Sequence, residues 1–115
     1  MTHHIQKQFV IQQHTTPEGV HWDLMLEADN TLWTWRLNVP PAEMGDEPIG
    51  AERIADHRLR FLTYEGPVQS NTGQVRIADK GTYTENRVGT AHPTCLTLEL
   101  HGTILNGTYT FIVLH

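Results

Sequence analysis

The stretch from His14 to Trp35, HTTPEGVHWDLMLEADNTLWTW, constrains this chain more than any other. Asp29-Asn30 separates two alternating runs, and Asp and Asn suit tight hairpin turns because they tolerate positive φ. With these two as the turn, Ala28 opposes Thr31, Leu26 opposes Trp33, Leu24 opposes Trp35 and Trp22 opposes Leu37. The other parity pairs Glu27 with Leu32, Met25 with Thr34 and Asp23 with Arg36. Directly opposed residues share a face, so the first set is apolar on both strands and the second carries the polar groups. A one-residue slip would scramble this sorting, which makes the register well determined. Upstream, Thr15 to Val20, with Pro17 and Gly19, separates His14 from His21. Closing a second hairpin there sets His14 beside His21, and His14, His21, Asp23 and Arg36 then converge on one polar face near one end of a sheet.

The rest of the chain continues in short strands. Gln6 to Gln13 reads as a strand, with Phe9 and Ile11 on one side and Val10, Gln12 and His14 on the other. Asn38 to Gly50 is rich in Pro and Gly and reads as an irregular crossing. Ala51 to Asp56 fits either a helical turn or a short strand. His57 to Glu65 alternates as a strand, with Leu59, Phe61 and Thr63 on the face of His57 and Tyr64 on the opposite one. Gln74 to Thr84 reads as strand, Asp79-Lys80-Gly81 turn and short strand, followed by a polar loop from Glu85 to Pro93. Thr94 to His101 alternates with Leu96, Leu98 and Leu100 inward, and Thr108 to Leu114 closes the chain. Some seven short strands with frequent turn signals predict an all-β, mainly antiparallel fold. The expected form is a small closed or partly open β-barrel with one or two short helical turns, or a sandwich, and a lumen carrying polar groups would suit the two-sided hairpin. All 115 residues are expected to form one domain, and a monomer.

Composition narrows the function classes. The single cysteine, Cys95, excludes an internal disulfide framework and fits a reducing compartment. No run approaches the ~20 apolar residues needed to span a bilayer, and MTHHIQKQFV contains no signal-peptide core, so the expectation is a cytoplasmic protein without a membrane partner. A net charge of −5 argues against a large nucleic-acid footprint. It leaves room for a local patch, for which Arg53, Arg58, Arg60 and Arg76 are available.

His14, His21 and Asp23 supply two imidazoles and a carboxylate, a donor set that suits Mn²⁺, Zn²⁺ or Fe²⁺ and leaves positions open for water or substrate. The competing explanation is a solvated polar sheet face. His57 is either structural or functional, as a general acid/base or as a contact that stabilises a transferring phosphoryl group. The parity of Trp22, Trp33 and Trp35 matches that of Leu24, Leu26 and Leu37, which places them in the core. His3, His4, His92, His101 and His115 receive no role. Cys95 has no nucleophile context, and the chain has neither a Gly-rich phosphate loop nor a nucleophile elbow.

The segments FVIQQH, HWDLMLEADNTLWTW, ADHRLRFLTYEG, QVRIADKGTY and LTLELHGTILNGTYTFIVL, in that order, resemble the 3′-phosphoesterase domain of bacterial DNA ligase D. The likeness covers nearly the whole chain from Phe9 onward. It implies a small β-barrel that trims DNA or RNA/DNA 3′ ends with Mn²⁺, removing a 3′-terminal ribonucleotide and then the 3′-phosphate. By this resemblance the metal ligands fall on His14, His21 and Asp23, and the active-site histidine of the family's E-D-H-P-L motif falls on His57 in ADHRL. Ligase and end-joining proteins are the implied partners.

Two positions depart from the family pattern. Met25 stands where the family carries an arginine two residues after the aspartate, and Phe61 stands where it carries a tyrosine four residues after the histidine. Both lost groups would contact phosphate in the family. Arg36, opposite Asp23, is the cation placed to substitute for the first. The alternatives to an active phosphoesterase are a barrel that binds nucleic-acid ends or phosphate without turnover, and a phosphoesterase for small phosphorylated molecules.

Overall fold

In the computed structural model, residues 6–68, 73–85 and 95–114 are described. His3, His4, His92 and His115, and most of the loop expected from Glu85 to Pro93, lie outside them. Among the described residues eight strands form one sheet: β1 (Lys7–Thr16), β2 (Gly19–Ala28), β3 (Thr31–Leu37), β4 (Ile49–His57), β5 (Gly66–Pro67), β6 (Gln74–Glu85), β7 (Cys95–Gly102) and β8 (Asn106–Leu114). Their order is β1-β2-β3-β4-β8-β7-β6-β5, and β1 also pairs with β6. That pairing closes a seven-strand barrel, leaving β5 as an appendage on β6. All neighbours are antiparallel except β4 and β8, which run parallel from Ile49↔Phe111 to Glu52↔Leu114. Two single 3₁₀ turns, Pro41–Glu43 and Leu59–Leu62, are the only helical elements among the described residues, and no helix is long and apolar enough to cross a membrane.

The β2–β3 hairpin has the register its side chains demand. Asp29 and Asn30 take φ of 51° and 63°, the left-handed values of a two-residue turn whose twist matches the strands. Every expected pair from Trp22↔Leu37 to Ala28↔Thr31 is present. The β1–β2 hairpin is tighter than the six-residue loop suggested: pairing runs on to Thr16↔Gly19, leaving Pro17-Glu18 at the tip. There the Thr16 hydroxyl accepts from the Glu18 N–H and donates to the Gly19 carbonyl, both at 3.2 Å.

Ala51 to Asp56, which fits either of two readings in sequence, is strand, within β4. Three other expectations need correction. First, the barrel interior is apolar: Phe9, Ile11, Leu24, Trp35, Leu98 and Phe111 are among its buried members. The polar parity of β1–β3 faces outward, where a second small cluster of Val10, Met25 and Leu32 is covered by Phe61 and Leu62. Secondly, His57 to Glu65 is not a strand. β4 ends at His57, and Leu59–Leu62 is a 3₁₀ turn within a strap that crosses the outer face of the sheet. Leu59 is exposed while Phe61 and Leu62 pack down, so the alternation inferred for this segment does not exist. Tyr64 is accordingly not opposite Phe61; their rings meet edge to face with centroids 5.6 Å apart.

Thirdly, Asp79-Lys80-Gly81 is not a turn, because β6 runs straight through it. Its turn-type residues serve other needs. The buried Asp79 carboxylate accepts from the N–H groups of Lys80, Thr103, Ile104 and Leu105 at 2.8–3.1 Å, tying down the turn between β7 and β8. At Gly81 a Cβ would lie 1.9 Å from the His101 carbonyl oxygen, so the approach of β7 requires glycine. The irregularity in β6 is a bulge at Ala78, between the pairs Ile11↔Asp79 and Gln12↔Ile77.

Candidate active site

The two hairpins assemble the site on the outer face. Ladder pairing sets His14 opposite His21, Gln12 opposite Asp23, and Asp23 opposite Arg36. His14 Nδ1 and His21 Nε2 lie 3.1 Å apart. Asp23 Oδ2 is 3.5 Å from His21 Nε2 and 4.0 Å from His14 Nδ1. One donor atom from each residue lies within 4.8 Å of the others, a grouping that would hold a metal ion.

The electrostatics of the cluster fit a cation. Asp23 is 3% exposed, and its Oδ1 has no hydrogen-bond partner. Burial pushes the carboxyl up to about 6, against the opposing pull of Arg36 and His14. Burial also pushes His21 down to about 4, aided by Arg36 and His14. At neutral pH His21 is a neutral imidazole and Asp23 is mostly carboxylate, the charge states in which these groups bind metal. An incompletely satisfied carboxylate in a dry place is costly unless a charge compensates it. Arg36 compensates only in part: its Nε is 3.8 Å from Asp23 Oδ1, beyond hydrogen-bond length, and finds no acceptor. The rest of its side chain reaches the surface and lines two adjoining cavities. One of 500 Å³ is shared with His14, Glu18 and His21, and one of 440 Å³ is shared with Glu47 and Glu52.

His57, at the end of β4, pairs with Leu32 on the same outer face. Its Nδ1 is 3.0 Å from Thr34 Oγ1. The Thr34 hydroxyl donates to the Leu32 carbonyl at 3.1 Å, so its oxygen accepts from Nδ1–H and the His57 lone pair is left on Nε2. Burial lowers the pKa of His57, a backbone hydrogen bond at Ala55 opposes the shift, and the charges of His14 and Arg36 add to it.

The strap is fastened beside this group. The fully buried Gln12 donates through Nε2 to the carbonyls of Phe61 and Tyr64, at 2.9 and 2.8 Å. Gln12 and Thr34 are the site neighbours that sequence reasoning missed. Their parity with His14 and Arg36 placed them on the polar face. Nothing in the sequence showed that a strap would bury them.

Residues 12–113 match the DNA Ligase D 3′-phosphoesterase domain model. The chain belongs to the DNA ligase D 3′-phosphoesterase domain family. The multifunctional non-homologous end joining DNA repair protein LigD of Mycobacterium tuberculosis is 35% identical to it over 111 residues, covering 90% of this chain and 14% of the relative. The corresponding LigD of Mycobacterium bovis matches to the same extent. The chain thus spans about a seventh of these much longer proteins.

Met25 and Phe61 turn out to be neighbours. Met25 is 1% exposed and lies in the outer apolar cluster against which Phe61 packs. The Phe61 ring also meets His57 edge-on at 5.5 Å. The Tyr64 hydroxyl donates to the Pro67 carbonyl. Of the four arginines considered for phosphate contact, Arg53 is committed internally, bonding Thr34 O at 3.2 Å, Ile54 O at 2.6 Å and Asp56 Oδ1 at 2.7 Å. Cys95 is exposed on β7, and His101 pairs with Glu99 at 3.0 Å on the same strand, neither of them in the site.

Proposed function

We propose that this chain is a metal-dependent phosphoesterase that trims 3′ ends of DNA, or of RNA/DNA, during repair. It would remove a terminal ribonucleotide or a 3′-phosphate and leave a 3′-hydroxyl for a ligase or end-joining partner. The observation that carries this reading is the convergence of His14, His21 and Asp23 on one point, with Arg36 and His57 beside them, in a member of the LigD phosphoesterase family.

His14, His21 and Asp23 would hold the ion, Mn²⁺ by family resemblance, with Zn²⁺ also compatible with the donors. When bound, such an ion polarises a phosphate oxygen and lowers the pKa of an attacking water. Arg36 presents its guanidinium to the phosphoryl oxygens, where charge builds as the bond to the leaving group breaks. His57, held neutral with its lone pair on Nε2, is suited to accept a proton at that nitrogen, while Thr34 fixes the ring through Nδ1.

The burial of Met25 beneath Phe61 favours one second reading, a barrel that binds 3′ ends without turning them over. The deciding assay uses a 5′-labelled primer–template ending in a 3′-phosphate or a ribonucleotide, with and without Mn²⁺. Trimming that is lost in His14→Ala and His57→Ala supports the phosphoesterase. Salt-sensitive binding with no trimmed product supports the binding module.

A further inference from the structure

Two cavities flank the site, and their charges are opposite. On the β4 side of Arg36, across from which Glu52 is paired, the 440 Å³ cavity has Arg36 at its edge and four carboxylates, Glu43, Asp46, Glu47 and Glu52, in its lining. Among the described residues none of these four carboxylates has a cationic partner. A polyanion is repelled there. On the His57 side, a pocket of 370 Å³ is lined by His57, Arg58, Arg60, Phe61 and Tyr64, with Asp56 already paired to Arg53 at 2.7 Å. Arg58 and Arg60 are exposed, and among the described residues neither has a carboxylate partner.

Arg60 is also held in position. Its Cζ lies 4.7 Å from the Tyr64 ring centroid and 5.4 Å from that of Phe61, and Tyr64 is anchored through its hydroxyl to the Pro67 carbonyl. A guanidinium stacked on aromatic faces keeps its N–H donors at its edge, free for a bidentate phosphate contact. Gln12 fastens this strap to β1 through the Phe61 and Tyr64 carbonyls, directly beside Asp23. The pocket, which His57 lines, is thereby fastened to the strand that carries His14 and pairs with the strand of His21 and Asp23.

We infer that the substrate strand reaches the metal cluster over the His57 side, with Arg58 and Arg60 holding a phosphodiester upstream of the processed end. This inference rests on the phosphoesterase reading for the position of that end. The arginines supply strand affinity, and the acidic cavity turns the strand away from the other side.

The test separates binding from turnover. The full chain is titrated with a fluorescently labelled, single-stranded 3′-phosphate oligonucleotide, without metal, at several salt concentrations. Each phosphate neutralised on a single strand contributes about 0.7 to the slope of log affinity against log salt, so losing the one phosphodiester that the two arginines hold, in the Arg58→Gln/Arg60→Gln double variant, is expected to flatten it by about 0.7. Arg58→Glu, an exposed reversal that leaves the Arg60 stack intact, is expected to weaken binding at least tenfold. An unchanged slope in the double variant overturns the inference. In the metal-loaded protein, turnover of a 3′-phosphorylated mononucleoside is expected to match wild type in the double variant, while KM for the longer strand rises. An equal loss on both substrates would place the arginines at the reacting phosphate and overturn the upstream assignment. Arginine-dependent binding by a protein that trims nothing supports this inference and counts against the phosphoesterase reading alone.

Discussion

Asp23 and Arg36 face each other across the β2–β3 ladder, yet their nearest charged atoms stop at 3.8 Å and both are left without a hydrogen bond. A buried carboxylate with a nearby guanidinium normally closes to a bidentate pair. Here the carboxylate is also turned toward two imidazoles, and Arg36 is left partly extended toward the cavity it shares with His14 and His21. Under the phosphoesterase reading, this incomplete pairing is what leaves each residue free for a separate partner, Asp23 for an ion and Arg36 for a phosphate.

Arg36→Ala is the direct test. Loss of the cation from a phosphoryl-transfer site is expected to lower kcat by about 10²-fold or more. The metal ligands are untouched, so the dissociation constant for Mn²⁺, measured by calorimetry, should stay within a few-fold of wild type. Wild-type trimming by the variant would remove Arg36 from the mechanism. Arg36→Lys should recover only part of the activity, because an ammonium lacks the guanidinium's paired donors.

Metal affinity should fall in acid, with a pH window set by Asp23. Its pKa is raised to about 6, so the proton competes with the ion below that value, and Asp23's share of the loss is about tenfold per pH unit. His21, lowered to about 4, adds no further competition until the pH approaches that value. For the metal-free protein the signs run oppositely. The stability contributed by protonated Asp23 is full below its unfolded value near 4 and disappears as pH rises through about 6. The stability contributed by neutral His21 is full above its unfolded value of about 6.5 and disappears as pH falls toward 4. Thermal melts with and without Mn²⁺ should therefore show the largest metal-induced gain in Tm above pH 6 and little near pH 4.

Gln12→Leu tests the strap. The substitution removes both donors to the Phe61 and Tyr64 carbonyls. Two partly buried acceptors left unmatched, offset by removal of the unpartnered Gln12 Oε1, are expected to cost about 1–2 kcal/mol in chemical denaturation. Hydrogen exchange should accelerate in residues 58–64 before the rest of the barrel. A variant as stable as wild type, with unchanged exchange there, would show that the apolar contacts of Phe61 and Leu62 suffice to seat the strap.

How far the sequence carried this picture depends on what kind of contact was being read. The β2–β3 register, the His14–His21 pairing and the membership of the shared polar face all follow from strand alternation and two hairpin turns, and each is local. The strap was misread because a 3₁₀ turn that packs Phe61 and Leu62 over Met25 leaves no period-two signal in HRLRFLTYE. Asp79 and Gly81 were misread because Asp and Gly signal turns on average, whereas here one caps a turn 24 residues or more away and the other admits a neighbouring strand. The inward or outward sense of the polar face was not legible either, since parity says which residues share a face and not which face is enclosed. For the same reason Gln12 and Thr34 escaped notice: their importance lies in segments that only folding brings to them.

Thr34 acts on the proposed chemistry through His57 rather than directly, which makes it a positioning residue with a distinctive expected signature. Thr34→Val keeps the shape and removes the oxygen that accepts from His57 Nδ1–H. The imidazole can then take either tautomer, and the form with its lone pair on Nε2 is no longer enforced. The expected result is a fall of about tenfold in kcat with KM for the 3′-phosphate strand unchanged, since the phosphate contacts remain. The acidic limb of the kcat profile should also move, because the group that fixes the His57 proton is gone. Thr34→Ser, which restores the hydroxyl, should recover both the rate and the profile. A general loss of stability would behave differently, lowering the amount of active protein without moving the profile, and Ser would then have no special ability to rescue it.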